Sequence, residues 1–250
     1  MKNILIFISF SLLLFSCKKE PQHLVKIEGK QLLINEEIKG VQEIDDFIQP
    51  YKVKVEKEMN KVLSYTPNDL ERKDGELESS LGNLMADMCY ERANPVFKTR
   101  TGNDIDFAMF NYGGIRAGIT KGDVIVENAF KLMPFENNLV VVELTAEKVL
   151  ELALYLLNEN KAHPLSKQVK AEIKNELIDF KINNLEIDSN KTYYVLTSDY
   201  LQNGGDKMNF FKGPVKLFNL DYKVRNAIID YFTEKDTLKV ELDGRFKKLN

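Results

Sequence analysis

From about Asp45 to the C-terminus, stretches with apolar residues every three or four positions alternate with short apolar runs. No internal repeat, low-complexity linker or composition shift interrupts them. Helices and strands interleaved in this way must share a core, so the alternation points to one mixed α/β domain. About 230 residues beyond the first apolar segment are enough to bury such a core.

The expected elements follow the periodicity. A helix over about Asp45 to Leu63 would turn Phe47, Ile48, Tyr51, Val55, Met59 and Val62 to one side, and Pro50 requires it to start close before that proline. Asn68 to Glu76 is polar and reads as a loop. A helix over Ser80 to Arg92 follows, with Leu81, Leu84, Met85, Met88 and Cys89 inward. Ile105 to Phe110 reads as a buried strand, Val124 to Val126 as a short strand or turn, and Glu127 to Leu132 as a helix. Leu139 to Leu144 is the clearest strand, and Thr145 caps the next helix, whose core face is Leu150, Leu152, Ala153, Tyr155 and Leu156. Strands are expected at Val169 to Ile173, Ile178 to Ile182 and Thr192 to Ser198, then a helix at Tyr222 to Phe232 and a closing strand near Arg245 to Lys247. Val25 to Ile38 suggests a short strand pair around Gly29.

The N-terminus has a different logic. Lys2 precedes an almost unbroken apolar run, Ile4 to Phe15, too short to span a bilayer as a helix of roughly 20 residues. The run ends Leu14-Phe15-Ser16-Cys17, with Lys18-Lys19-Glu20-Pro21 after it. A small residue directly before a cysteine resembles the lipobox of bacterial lipoproteins. Residues 1–16 are then a signal peptide, Cys17 carries the lipid, and 17–40 form a lipidated tether with short strands, leaving 41–250 as the domain. The expected location is the cell envelope, anchored to a bacterial membrane through Cys17 and facing the periplasm or the cell surface. With Cys17 acylated, Cys89 has no disulfide partner and reads as a small buried apolar residue. Without Lys2, 34 basic residues face 38 acidic ones, a balance that gives no reason to bind nucleic acid.

Three loops concentrate the chemistry. Asn111-Tyr112-Gly113-Gly114-Ile115-Arg116 follows a buried strand. Its paired glycines allow close approach of backbone to a ligand, and Arg116 can grip a carboxylate or phosphate through two N–H groups. Read alone, it is a weak signal, and a tight turn with a surface arginine accounts for it. Leu132-Met133-Pro134-Phe135-Glu136-Asn137-Asn138 holds an aromatic on a rigid turn, either a platform for a flat ring or a core phenylalanine. Ser198-Asp199-Tyr200-Leu201-Gln202-Asn203-Gly204-Gly205-Asp206 offers a second aromatic and a carboxylate that could take two neighbouring hydroxyls, or else a hydrophilic turn.

In order, Asn-x-Gly-Gly-Ile-Arg, Met-Pro-Phe-x-Asn and Asp-Tyr-Leu-x-Asn-Gly-Gly-Asp resemble the C-terminal domain of the 5'-nucleotidase family. Glu78-Ser79-Ser80-Leu81-Gly82-Asn83-Leu84 resembles that family's helix-start motif. The resemblance implies an α+β fold, a single mixed domain layered as an α/β/β/α sandwich, that binds a nucleotide. It implies phosphate contacts for Arg116 and Asn111. Arg72 would be a further phosphate-side arginine, through a loop that aligns less tightly. Phe135 would be one wall of a base sandwich, and Tyr200 stands where the family has a second phenylalanine. Asp206 would bind the ribose hydroxyls, and Gly113, Gly114 and Gly205 would bring backbone to the ligand. Asp74, Gly75 and Glu76 stand where some members carry another arginine.

The family's hydrolytic half uses two metals held by Asp, Asn and several His residues. This sequence has only His23 and His163, at no ligand spacing. No catalytic or metal residue is therefore assigned, and no cofactor is expected in this chain. Divalent metals are expected only in a partner catalytic chain. The leading expectation is a nucleotide-substrate-binding subunit that works with a separate metallophosphoesterase chain. The alternative is a non-catalytic envelope lipoprotein that captures nucleotides.

Overall fold

The computed structural model describes residues 23–35 and 38–249. The export signal and Cys17 lie outside the described residues. The chain divides into two units, Met1–Ile48 and Gln49–Asn250.

In the first unit, residues 23–35 form neither helix nor strand, in place of the expected strand pair around Gly29. Val25, Ile27, Leu32, Leu33 and Ile34 are all exposed, so a hairpin here would have no face to bury, and two strands alone are marginal. Helix α1, Gln42–Met59, runs from the first unit into the residues of the second, begins earlier than expected and carries Pro50 well inside it, with no residue buried. Since proline has no N–H, the Asp46 carbonyl loses its helical donor. The helix also stops earlier, because Val62 belongs to a strand.

The second unit holds the core. Strand β1 (Val62–Thr66) pairs antiparallel with β3 (Gly122–Ile125). A four-stranded sheet runs β2 (Phe107–Ala108), β7 (Thr192–Ser198), β4 (Asn138–Thr145), β8 (Lys216–Lys223). A three-stranded sheet runs β6 (Leu177–Ile182), β5 (Val169–Lys174), β9 (Phe246–Lys248). In β4, Leu139 to Val142 are buried in succession, as befits a central strand covered on both faces.

Helix α2, Ser80–Thr101, runs past the expected end at Arg92 and through Pro95 to Gly102, which caps it with φ 79°. Its Phe97 packs against Tyr194 of β7 and Phe218 of β8, with ring centres 5.2 and 5.1 Å away. Val195 lies on the opposite face of the sheet from Tyr194, and its register partner Phe107 meets Phe180 of β6 at 5.9 Å. The large sheet is thus covered by helix on one face and by the small sheet on the other. The result is the mixed α/β architecture expected from the alternation.

The helix-start motif is structural. Ser79 accepts from the Gly82 N–H, and Asn83 donates to Glu78 and to the Glu241 carbonyl, while Glu78 accepts from the Gly244 N–H. The start of α2 is therefore tied to the C-terminal segment. Cys89 is fully buried in α2, and burial pushes its thiol up, so it stays an inert apolar residue. Helix α3 is Val126–Leu132 and α4 is Ala146–Glu159, capped by the Thr145 hydroxyl. Val149 rather than Leu150 faces the core of α4; Leu150 is exposed and Tyr155 half-buried. The chain continues through α5 (Asp199–Gln202) and α6 (Val224–Glu234). Among the described residues no helix is long and apolar enough to cross a membrane.

Candidate functional site

Sheet topology gathers the three loops. Strands β2 and β7 are parallel, so the loops that leave them emerge at one edge of the sheet. Strand β4 is antiparallel to β7, with Leu139 opposite Ser198, so β4 begins at that same edge. The loop after β2, the loop before β4 and the turn after β7 therefore meet in space.

They enclose a cavity of about 250 Å³. Asn111, Gly113, Gly114 and Arg116 line it from the first loop, Phe135 from the second, and Tyr200 and Asp206 from the third. Asn137 also lines it; it was visible in the Met-Pro-Phe-x-Asn motif but carried no expected role. Arg72 and Gly205 stand behind the wall. Half-buried Arg72 donates to the Ile115 carbonyl at 2.7 Å and lies 4.7 Å from the centre of the Tyr112 ring, bracing the first loop from outside. A second cavity, about 330 Å³, adjoins the first through Gly113 and Asp206 and is lined by Tyr155, Lys161, His163 and Lys207.

The two glycines of the first loop differ. A Cβ on Gly114 would stand 2.7 Å from Asn111 Oδ1, leaving no space for a side chain. One on Gly113 would make ordinary contacts at 3.5 Å with Asn111 and Asp206. Beneath the loop, buried His163 accepts from the Tyr112 N–H through Nδ1, at 3.2 Å. Burial pushes its pKa down to about 4, so the ring is a neutral support for the loop.

Asp206 is the hub. Asn111 Nδ2 donates to its Oδ2 at 2.6 Å, the Tyr200 hydroxyl to its Oδ1 at 3.1 Å, and the Tyr155 hydroxyl to its carbonyl at 3.0 Å. Asp206 and Lys207 hold φ values of 50° and 61°, a left-handed pair that few non-glycine residues adopt. The ring of Tyr200 lies on Gly205: a Cβ there would come within 2.4 Å of its Cε1. Its hydrogen bond to Asp206 is the main reason the Tyr200 phenol is pushed up.

Phe135 lines the same cavity. The Arg116 guanidinium lies 5.8 Å from its ring centre, within cation–π range. A flat group stacked on Phe135 would thus sit beside a planar cation. The Phe135 loop is held by Arg225 of α6, which the loop motifs do not include. Buried Arg225 donates through Nη1 to the carbonyls of Met133 and Phe135, both at 3.3 Å. It also pairs with Glu136, which bridges on to Lys223, and covers the Phe130 ring at 4.4 Å. The two cations hold the exposed Glu136 carboxyl down at about 2. The one sequence sign of Arg225 is a cation among the apolar positions Val224, Ala227 and Ile228.

Chemically, the cavity offers two aromatic rings, a guanidinium, an amide and a carboxylate. It could stack a flat ring, neutralise an anion and accept from hydroxyls. Among the described residues no group of three or more His, Cys, Asp or Glu side chains is placed to hold a metal ion.

The fold is a mixed α/β domain with a cavity at one edge of its large sheet. The model of the 5'-nucleotidase C-terminal domain matches residues 59–213, and the chain belongs to that family. A 5'-nucleotidase of Vibrio vulnificus (strain CMCP6) is 26% identical over 243 residues, 92% of this chain and 40% of the relative. Protein UshA of Escherichia coli (strain K12) is 24% identical over 227 residues, 87% of this chain and 40% of the relative. The chain thus spans about two fifths of the length of these relatives. Among solved structures, the 5'-nucleotidase precursor of Thermus thermophilus shares the fold with a TM-score of 0.67 at 23% identity, covering 82% of this chain and 43% of that one. The NAD nucleotidase of Haemophilus influenzae shares it with a TM-score of 0.59 at 15% identity, over 84% and 42%.

Proposed function

We propose that this chain is the nucleotide-substrate-binding half of a 5'-nucleotidase-type phosphohydrolase, and that a separate metallophosphoesterase chain supplies the two metals. The observation that carries this reading is the meeting of Asn111, Arg116, Phe135, Tyr200 and Asp206 around one cavity. Phe135 and Tyr200 stack the base, Arg116 and Asn111 hold phosphate, and Asp206 accepts from the ribose hydroxyls. Arg72 supports the phosphate side by fixing the Ile115 carbonyl next to Arg116.

The names of the relatives support the substrate class: three are named 5'-nucleotidase, and one, of Bacillus subtilis (strain 168), is a trifunctional nucleotide phosphoesterase. The metal-binding half is assigned to another polypeptide because two histidines, His23 and His163, are too few for a two-metal centre of the family's kind. An extracytoplasmic location with a lipid on Cys17 fits the apolar run before that cysteine. It also fits a relative named cell wall protein Lmo0130 of Listeria monocytogenes, 30% identical over 168 residues. Confinement to one membrane surface would raise the effective concentration of a similarly anchored partner.

The test is to mix the purified chain with metallophosphoesterase chains from the same cell and assay phosphate release from nucleoside 5'-monophosphates. Activity above that of the separate chains supports the split enzyme. No gain and no complex rejects it, and nucleotide affinity without a partner would then mark a capturing lipoprotein.

A further inference from the structure

Where the family's second base-stacking residue is a phenylalanine, this chain has Tyr200, and its hydroxyl has a defined partner. The hydroxyl donates to Asp206 Oδ1 at 3.1 Å, while Asn111 Nδ2 donates to Asp206 Oδ2 at 2.6 Å. The ring is supported from behind by Gly205, where not even a methyl group would fit. Tyr200 is nevertheless 46% exposed, so packing alone does not fix it. Its orientation depends on the bond at its tip.

We infer that the Tyr200 hydroxyl couples the base wall to the sugar-binding carboxylate, so that Asp206 positions the stacking ring as well as accepting from the sugar. The inference rests on the nucleotide reading of the site and adds a specificity role within it. A ring fixed before the ligand arrives spares the cost of ordering a side chain on binding, worth about twofold to tenfold in affinity. Loss of Asp206 should therefore weaken ligands that lack the sugar hydroxyls altogether. An acceptor used only for hydroxyls has no such effect.

The experiment is a double-mutant cycle on the whole chain with Tyr200→Phe, Asp206→Ala and the pair. Calorimetry would use adenosine 5'-monophosphate and its 2',3'-dideoxy analogue. With the dideoxy ligand, Asp206→Ala should weaken binding about twofold to tenfold more in the Tyr200 chain than in the Tyr200→Phe chain. Equal losses in both overturn the coupling. Melting temperatures identify any misfolded variant, since alanine is strained at the positive φ of position 206. A ligand-free readout separates this inference from the nucleotide reading. The Tyr200 phenol, followed by NMR, should titrate at lower pH in Asp206→Ala than in the wild type. An unchanged titration overturns the link. If the wild type binds neither ligand, the nucleotide reading fails and the titration alone decides the link.

Discussion

Arg225 and Phe135 are 90 residues apart in sequence, yet the buried guanidinium of one holds the carbonyl of the other at 3.3 Å. The aromatic wall of the slot is thus set by the last long helix. Arg225→Met would strand the Met133 and Phe135 carbonyls and free the loop. It should cost about 2 kcal/mol in denaturant unfolding. Base-bearing nucleotides should lose more affinity than ribose 5-phosphate, which makes no stacking contact. Equal losses for the two ligands would show that Arg225 does not act through Phe135.

Phe135→Ala and Tyr200→Ala each remove one stacking surface from the cavity. Each should weaken a nucleoside monophosphate by about 1–3 kcal/mol, or roughly 5- to 150-fold in Kd. Because both side chains are partly exposed, unfolding midpoints should change little. Unchanged affinity in either variant removes that ring from the site.

His163 gives the fold a pH dependence with a definite sign. Its folded pKa is about 4, against about 6.5 when unfolded, so below the unfolded value the unfolded chain takes up the proton first. The neutral ring's contribution is whole above about pH 6.5 and is lost as pH falls toward 4, by roughly 3 kcal/mol in all. His163→Asn can still accept from the Tyr112 N–H, and it should remove this slope. The check is the wild-type minus variant difference in unfolding free energy across that window. A flat difference would mean that His163 takes up its proton at the same pH in the fold as in the unfolded chain.

The neighbouring glycines should part company. Gly114→Ala drives a methyl group into Asn111 and should destabilise the chain by about 1–3 kcal/mol, whereas Gly113→Ala should fold normally. Thermal melts of the two variants distinguish these outcomes.

Much of the fold was legible because its periodicities are strong. Leu139 to Leu144 could only be a buried strand, and Thr145 announced the start of α4. Strand β8 leaves little trace in the sequence because it is an edge strand with only Leu220 buried, so Lys216 to Lys223 shows little alternation, and its end at Tyr222 falls inside the stretch whose periodicity reads as the last helix. Helix α1 was misplaced at both ends because no buried face fixes its limits. At the site, the motif residues were legible because each loop carries its own glycines, proline or aromatic. Arg225, the Asn111–Asp206 bond and the His163 support were not, since each joins segments at least 50 residues apart and only the fold brings them together.

The central claim is that the cavity lined by Phe135 and Tyr200 takes a nucleotide. Titration calorimetry of the purified chain with nucleoside 5'-monophosphates tests it most directly, with Phe135→Ala and Asp206→Ala beside the wild type. Saturable one-site binding by the wild type, weakened in both variants, is the predicted result. No binding to any of the monophosphates, or binding that both variants retain in full, would contradict it.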